Sequence, residues 1–337
     1  MKWITGVVVF VILAVSATIA VAVWGVNALH SPMNIKQPVL FTVESGMSPL
    51  AVSEQLIESD LTSLPTWLPW VWFKLEPDIS HIQAGTYEVT PRHSFATLFA
   101  DMNAGKVRQF SVSLIEGLTL RQWVDSLIAQ PHLVDDTDGD AFAGVTNVDG
   151  MPEGVYPEGI FLADTYYYTA GTKVSQVLER ANRELVEFLS QAWQERDTDL
   201  PLNSPYEALI LASIIEKETA VANERSLIAG VFVNRLNRKM RLQTDPTIIY
   251  GLGERYEGDI KYAHLREKTA YNTYVIKGLP PTPIAMPGRE AILAALHPQQ
   301  TEALYFVAKG DGSHVFSSTL DAHNDAVNQY QRNQGQK

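Results

Sequence analysis

The sequence predicts a mixed α+β protein in three parts: an N-terminal membrane-spanning helix, a small region of short strand and helix units, and a larger α+β domain. Three observations predict it. The run from Trp3 to Val26 is apolar apart from small or hydroxyl residues. Residues 31–131 repeat a strand–turn–helix rhythm. Beyond Ser204, helical stretches alternate with proline-rich loops and close in a hairpin. The expected boundaries are an anchor at 1–30, the strand/helix region at 31–131, an acidic linker at 132–156, the larger domain at 157–330 and a polar tail at 331–337.

Composition narrows the function. A chain of 337 residues has room for two domains or so, each with a real core. Its 46% hydrophobic and 19% charged residues place it among globular chains. The net charge of -12 argues against a nucleic-acid partner, which needs a basic face. Without cysteine there are no disulfides and no thiolate chemistry. HExxH, GxSxG and Walker A motifs are missing, and Gly251 and Gly253 make only half of a dinucleotide fingerprint, better read as a turn.

At about 1.5 Å per residue, Trp3 to Val26 spans about 36 Å, enough to cross a bilayer with some tilt. Trp3 and Trp24 sit near its ends as interfacial anchors do. Lys2 is the only Lys or Arg before Lys36, so the N-terminus is expected in the cytoplasm and everything after Leu29 outside. A cleaved signal peptide is the rival reading, with Ala20 and Ala22 as its small residues. The apolar run continues past them, so a retained anchor through residues 3–26 is expected.

Three segments then share one pattern: Phe41-Thr42-Val43 leading to a helix at Leu50–Ile57, Tyr87-Glu88-Val89 to one at Phe95–Met102, and Val112–Ile115 to one at Leu120–Ile128. Ser48, Ser94 and Thr119 are the hydroxyl caps. Units this small must pack on one another. The first, with Phe41-Thr42-Val43 and Gly46, resembles a LysM module, which implies contact with the sugar backbone of peptidoglycan or chitin; a structural spacer fits the same residues. Trp67, Trp70 and Trp72 can stack on sugars or fill a core. Asp135, Asp136, Asp138, Gly139 and Asp140 imitate a calcium loop, but Ala141 and Asn147 stand where it needs glycine and glutamate, so an acidic linker is expected. Pro157 to Tyr167 has the aromatic density of a cleft wall, and Val174–Trp193 has helical periodicity.

The stretch Asn203 to Asn223 is the chemical centre. Ser204, Pro205 and Glu207 form a capping-box start to a helix that is apolar on nearly every face yet ends in Glu216-Lys217-Glu218-Thr219. Helical side chains lean back over the preceding turn, so Glu218 lies over Leu211, Ile214 and Ile215, and Glu216 over Leu209, Ala212 and Ser213. A carboxyl against such a wall is desolvated, its pKa raised toward what a general acid needs. A second helix, Glu224–Leu236, runs into a basic stretch, Arg235, Arg238, Lys239 and Arg241, either a solvated face or a receiver of polymer carboxylates. Leu242 to Gly251 and Ala270 to Tyr274 supply hydroxyls, amides and aromatics suited to pyranose rings. Two proline-rich loops follow, then a hairpin of Leu304–Val307 and His314–Ser318. His297, His314 and His323 lack metal-ligand spacing and read as structural.

Ile214-Ile215-Glu216-Lys217-Glu218-Thr219, Gln243-Thr244-Asp245-Pro246-Thr247, Tyr271-Asn272-Thr273-Tyr274, Gly278-Leu279-Pro280-Pro281 and Leu304-Tyr305-Phe306-Val307 resemble, in order and spacing, the YceG-like family of membrane-anchored endolytic murein transglycosylases. The likeness extends over almost the whole chain. It implies a lytic transglycosylase acting on peptidoglycan glycan strands, needing neither cofactor nor metal, in the inner membrane with its catalytic domain on the periplasmic side. Peptidoglycan synthases are candidate partners. In the family the second glutamate of the E-K-E-T motif is catalytic. It maps to Glu218, with Glu216 as the runner-up acid, and Gln243, Thr244, Asp245, Tyr271, Asn272 and Tyr274 become the candidate substrate-binding residues. Two departures stand out: Ala163 where proline often precedes Asp164, and Thr282 where glycine is common after the paired prolines. A glycoside hydrolase with Asp245 as second carboxylate, and a non-catalytic wall-binding scaffold, are the competing functions.

Overall fold

The computed structural model describes residues 2–138 and 142–332. The chain divides into two compact units. The first runs to Phe110 and includes Tyr168–Ala170; the second takes Ser111–Tyr167 and the chain from Gly171 onward.

The first unit opens with α1 (Lys2–Leu29), whose apolar stretch is long enough to cross a membrane and carries its side chains on the outside. Only its last turn enters the core: Gly25 and Leu29 are buried. Strand β1 (Val39–Val43) is followed by α2 (Pro49–Glu58) and α3 (Trp67–Leu75), then β2 (Gly85–Val89) pairs back antiparallel on β1 with Phe41 opposite Tyr87. Helix α4 (Phe95–Asn103) starts at the expected Ser94, whose hydroxyl accepts from the Thr97 N–H while the Thr97 hydroxyl accepts from the Ser94 N–H. Alternation on the strands and the apolar stripes of the helices converge on Phe41, Val43, Leu56, Tyr87, Val89, Phe95 and Phe99.

The third strand–helix segment belongs to the second unit, so the region from 31 to 131 is split after Phe110. Strand β3 (Phe110–Ser113) pairs with β4 (Thr165–Tyr168), and α5 (Leu120–Ile128) is pinned at its start by the Glu158 carboxylate, which accepts from the Leu120 N–H at 2.8 Å. Trp123, fully buried, donates to the Ile115 carbonyl. These bonds commit the segment to the chain around residue 160. Sequence rhythm does not distinguish that partner from the two preceding units.

The acidic stretch does capping work where it is described: Asp136 accepts from the Ser175 N–H and hydroxyl at the start of α6 (Val174–Gln194). Gly139, Asp140 and Ala141 of the calcium look-alike lie outside the described residues, as do residues 333–337 of the polar tail. Helix α7 (Pro205–Glu218) is buried from Ala208 through Ile215 because α10 (Arg289–Leu296), α8 (Arg225–Asn237), α6 and α9 (Asp245–Leu252) surround it. Ser204 caps α7 as expected, but Glu207 reaches back to the Asn203 N–H, one residue beyond the reciprocal bond of a capping box. Strands β5 (Tyr305–Ala308) and β6 (His314–Ser317) form the closing hairpin, with Gly310 and Gly312 at positive φ in its turn. Helix α11 (Leu320–Val327) packs on it.

Candidate active site

Helix α7 ends where its sequence turns charged, and its last three side chains go to three different places. Glu216 reaches the proline-rich loop, where its carboxylate accepts the Gly288 N–H at 3.0 Å. Lys217 donates to the Gly117 carbonyl at 2.9 Å. Glu218 meets Thr244, whose hydroxyl donates a very short hydrogen bond to its carboxylate. The first two contacts tie the end of the helix to two loops and leave only Glu218 uncommitted to backbone among the three.

Glu218 is half-buried. Desolvation among the apolar side chains pushes its carboxyl up to about 7, and the neighbouring Asp245 pushes in the same direction. The Thr244 hydroxyl, His314 and Arg235 pull against them. Burial also raises Glu216, which is opposed chiefly by the Gly288 N–H. Both glutamates of the motif are therefore shifted, but their surroundings differ. Glu216 serves as an acceptor for loop backbone, whereas the partners of Glu218 are side chains able to manage a proton.

Thr244 occupies the N-cap position of α9, where a threonine hydroxyl ordinarily accepts from the helix's own first turn. Here it makes no such bond and turns to Glu218. Its backbone N–H donates to the Thr273 hydroxyl at 3.0 Å, and Thr247 bonds both the Thr244 carbonyl and the Thr273 hydroxyl. Gln243, immediately before it, holds φ at 50°, a left-handed conformation that costs a non-glycine residue on the order of 1 kcal/mol. Such strain persists where the surroundings fix the backbone, and here it sets the turn that delivers Thr244. Removing the Thr244 hydroxyl as Thr244→Val is expected to raise the Glu218 pKa further, because a bond to the charged form is lost. A pH–rate profile of the variant checks this: the alkaline limb should move to higher pH.

The other sequence-selected residues fall into two groups. Asp245 is exposed and accepts from the Tyr274 hydroxyl at 2.6 Å, so these two and Glu218 are mutual neighbours. Gln243 is also exposed. Asn272, by contrast, is buried, and its side-chain NH2 donates to the carbonyls of His264 and Glu267 while its oxygen accepts the Tyr274 N–H. Tyr271 is half-buried and its hydroxyl pairs with Thr282 at 2.8 Å. Thr282 in turn donates to the Pro283 carbonyl, so the departure from the family pattern at this position adds a polar support beneath Tyr271.

Three groups near the site carry signals that sequence reading missed. Arg235, grouped with the solvated basic run, is buried and donates to the carbonyls of Leu304, Arg241 and Leu242; Arg238, Lys239 and Arg241 are exposed as a charge run should be. Its position on the inner face of α8, four residues after Val231, was the available clue. His314 is held by Glu224, its Nδ1 2.7 Å from one carboxylate oxygen and its backbone N–H donating to the other. Glu158, 2% exposed, accepts from Leu120 and from the Tyr250 hydroxyl, and burial raises its pKa to about 7. A surface hollow lined by Arg196, Asp199, Asn234 and Gln300 includes none of these residues.

The model of the YceG-like family matches residues 41–329. The chain belongs to the YceG-like family. This YceG-like chain is 29% identical over 320 residues to a Bacillus subtilis protein named endolytic murein transglycosylase, covering 90% of the chain and 87% of that protein. A Streptococcus pneumoniae protein of the same name is 31% identical over 180 residues, covering 50% of the chain and 31% of that protein. Among solved structures, a YceG-like protein from Listeria monocytogenes aligns with a TM-score of 0.54 and 30% identity, covering 86% of this chain and 99% of its own. The mixed α+β architecture with an N-terminal apolar helix is thus that of a YceG-like protein.

Proposed function

We propose that this chain is an endolytic murein transglycosylase that cuts the bond between N-acetylmuramic acid and N-acetylglucosamine within peptidoglycan strands, with Glu218 as its acid and then its base. The observation that carries the reading is a carboxyl raised to about 7 at the end of a buried helix and held by Thr244, in a family whose curated relatives are named for this activity.

Protonated Glu218 donates its proton to the glycosidic oxygen as the bond from that oxygen to the muramyl C1 breaks. Positive charge spreads over C1 and the ring oxygen. The Glu218 carboxylate, now favoured by the Thr244 hydroxyl and by Arg235 and His314, takes the proton of the muramyl 6-hydroxyl while that oxygen closes on C1. The products are a free 4-hydroxyl on one fragment and a 1,6-anhydro end on the other. No water is consumed, so one carboxyl serves both half-steps. In this reading Asp245 and Tyr274, joined by their hydrogen bond, bind sugar hydroxyls and help hold the proton on Glu218. Gln243 is a second exposed contact, while Tyr271 and Asn272 act mainly by shaping the loop that presents Tyr274.

Mass analysis of muropeptides from digested sacculi tests the reading. Ends lighter by one water than hydrolysed ends are expected; hydrolysed ends would assign the chain to the glycoside hydrolases instead. Because Glu218 must begin protonated, cleavage is expected to fall as pH rises through about 7, a limb read directly from initial rates.

The apolar helix α1 supports a single-pass anchor in the cytoplasmic membrane, and we place everything beyond Leu29 on its outer, periplasmic side. An enzyme held there meets newly made strands, so we infer that it ends their growth beside peptidoglycan synthases. We infer that the LysM-like start at Phe41-Thr42-Val43 adds a second hold on glycan. Pelleting of the full chain with purified sacculi in detergent, compared with a variant altered at Thr42 and Glu44, tests that hold.

A further inference from the structure

Helix α3 has two unlike faces. Inward, Leu68 and Pro69 are buried, Trp72 lies against Phe95 and Phe99 with ring centroids 5.8 and 6.0 Å away, and Phe73 packs on Phe99 at 5.1 Å. Outward, Trp67 is 47% exposed, Trp70 53% and Leu75 76%, with Val71 half-buried and Lys74 exposed. At helical spacing Trp67, Trp70, Val71 and Lys74 form one stripe. A stripe led by two half-bare indoles is unusual against water.

Its position accounts for it. Helix α1 is exposed along its apolar length and enters the core of the first unit only at Gly25. The residue just before, Trp24, contacts Trp67 ring to ring at 6.1 Å, and a Cβ added at Gly25 would lie 3.2 Å from Leu68. The outward face of α3 therefore continues the surface of α1 at the level where that helix leaves the apolar layer. Indoles favour this level because the ring is apolar and its N–H needs a polar partner. Lys74 can lay its stem along the same surface and keep its ammonium among phosphates.

We propose that α3 lies in the headgroup layer of the membrane that α1 crosses, with Trp67 and Trp70 as a second, interfacial anchor. The proposal rests on the reading of α1 as a spanning helix. Its occupant is lipid and not glycan, because the stripe is continuous with the face of α1 that only lipid can cover.

The chain has no cysteine, so single-cysteine variants can be labelled without background. Nitroxide would be attached in the full chain at Ile12→Cys in α1, at Trp70→Cys and Leu75→Cys in α3, and at Glu54→Cys on the exposed side of α2. The protein would be reconstituted in phosphatidylethanolamine and phosphatidylglycerol vesicles. Power saturation with oxygen, which concentrates in lipid, and a water-soluble nickel chelate reads the environment of each label. Oxygen should dominate at 12, to a lesser degree at 70 and 75, and nickel at 54. Nickel dominance at both 70 and 75, with 12 still in lipid, overturns the proposal; if added glycan strands then shield 70 and 75, the face is a sugar platform. Nickel contact at 12 removes the spanning reading and this proposal with it.

Discussion

Glu218→Gln should lose glycan cleavage by about 10²–10⁴-fold, the range that positioned acid–base groups supply, while its melting curve keeps its cooperativity. The amide matches the carboxyl in shape and can still accept from Thr244, but it has no proton to give. The stability side has a definite sign. The folded-state pKa of Glu218 lies near 7, above the ordinary 4.5, so its contribution to stability is fully present below about pH 4.5 and lost as pH rises through about 7. At pH 8 the wild type carries a desolvated charge that the variant lacks. The inactive variant should therefore melt no lower than wild type there. Activity assays with scanning calorimetry at pH 5 and 8 test both halves. Glu216→Gln is the control, since an amide oxygen can still accept from Gly288. If that variant is dead and Glu218→Gln is active, the assignment moves to Glu216.

Glu158→Ala should be among the most destabilising single changes in the second unit. It strands two donors in a dry site, the Leu120 N–H at the start of α5 and the Tyr250 hydroxyl, and a buried unpaired group costs roughly 1–3 kcal/mol. Two such losses amount to about 2–6 kcal/mol, a fall in Tm on the order of 4–24 °C for a unit of this size. Glu158→Gln keeps one acceptor and should lose less. Glu158 is also raised to about 7 by burial, so its own contribution fades over the same pH window as that of Glu218. The pair separates two chemistries: a hydrolase that used Glu158 as its second carboxylate would lose turnover in Glu158→Gln. The lyase route predicts continued formation of anhydro ends by that variant.

The helix that presents Glu218 was legible because three local rules agree on it: Ser204 and Pro205 at the start, an unbroken apolar run, and a sharp change to charge at the end. The hairpin and the caps at Ser48, Ser94 and Thr119 were readable for the same reason. What stayed hidden is long-range. Nothing near Thr244 in sequence says that its hydroxyl ignores its own helix for a carboxyl 26 residues earlier. Glu158 sits in an aromatic run with no periodicity, and its donors lie 38 residues before and 92 residues after it. Arg235 looked like its neighbours because charge alone does not reveal which side of a helix is covered. The split of the strand–helix region after Phe110 is of the same kind: repeated local patterns do not choose their packing partners.

The burial of Gly25 and Leu29 has a mechanical consequence. The apolar helix α1 passes into the first unit as a continuous helix, with no slack chain between them, so the two lean together. A soluble form trimmed at residue 30 would lose a core side chain, whereas one beginning at Trp24 would keep it. In a bilayer, any change in thickness that tips the helix would swing the attached unit like the arm of a lever.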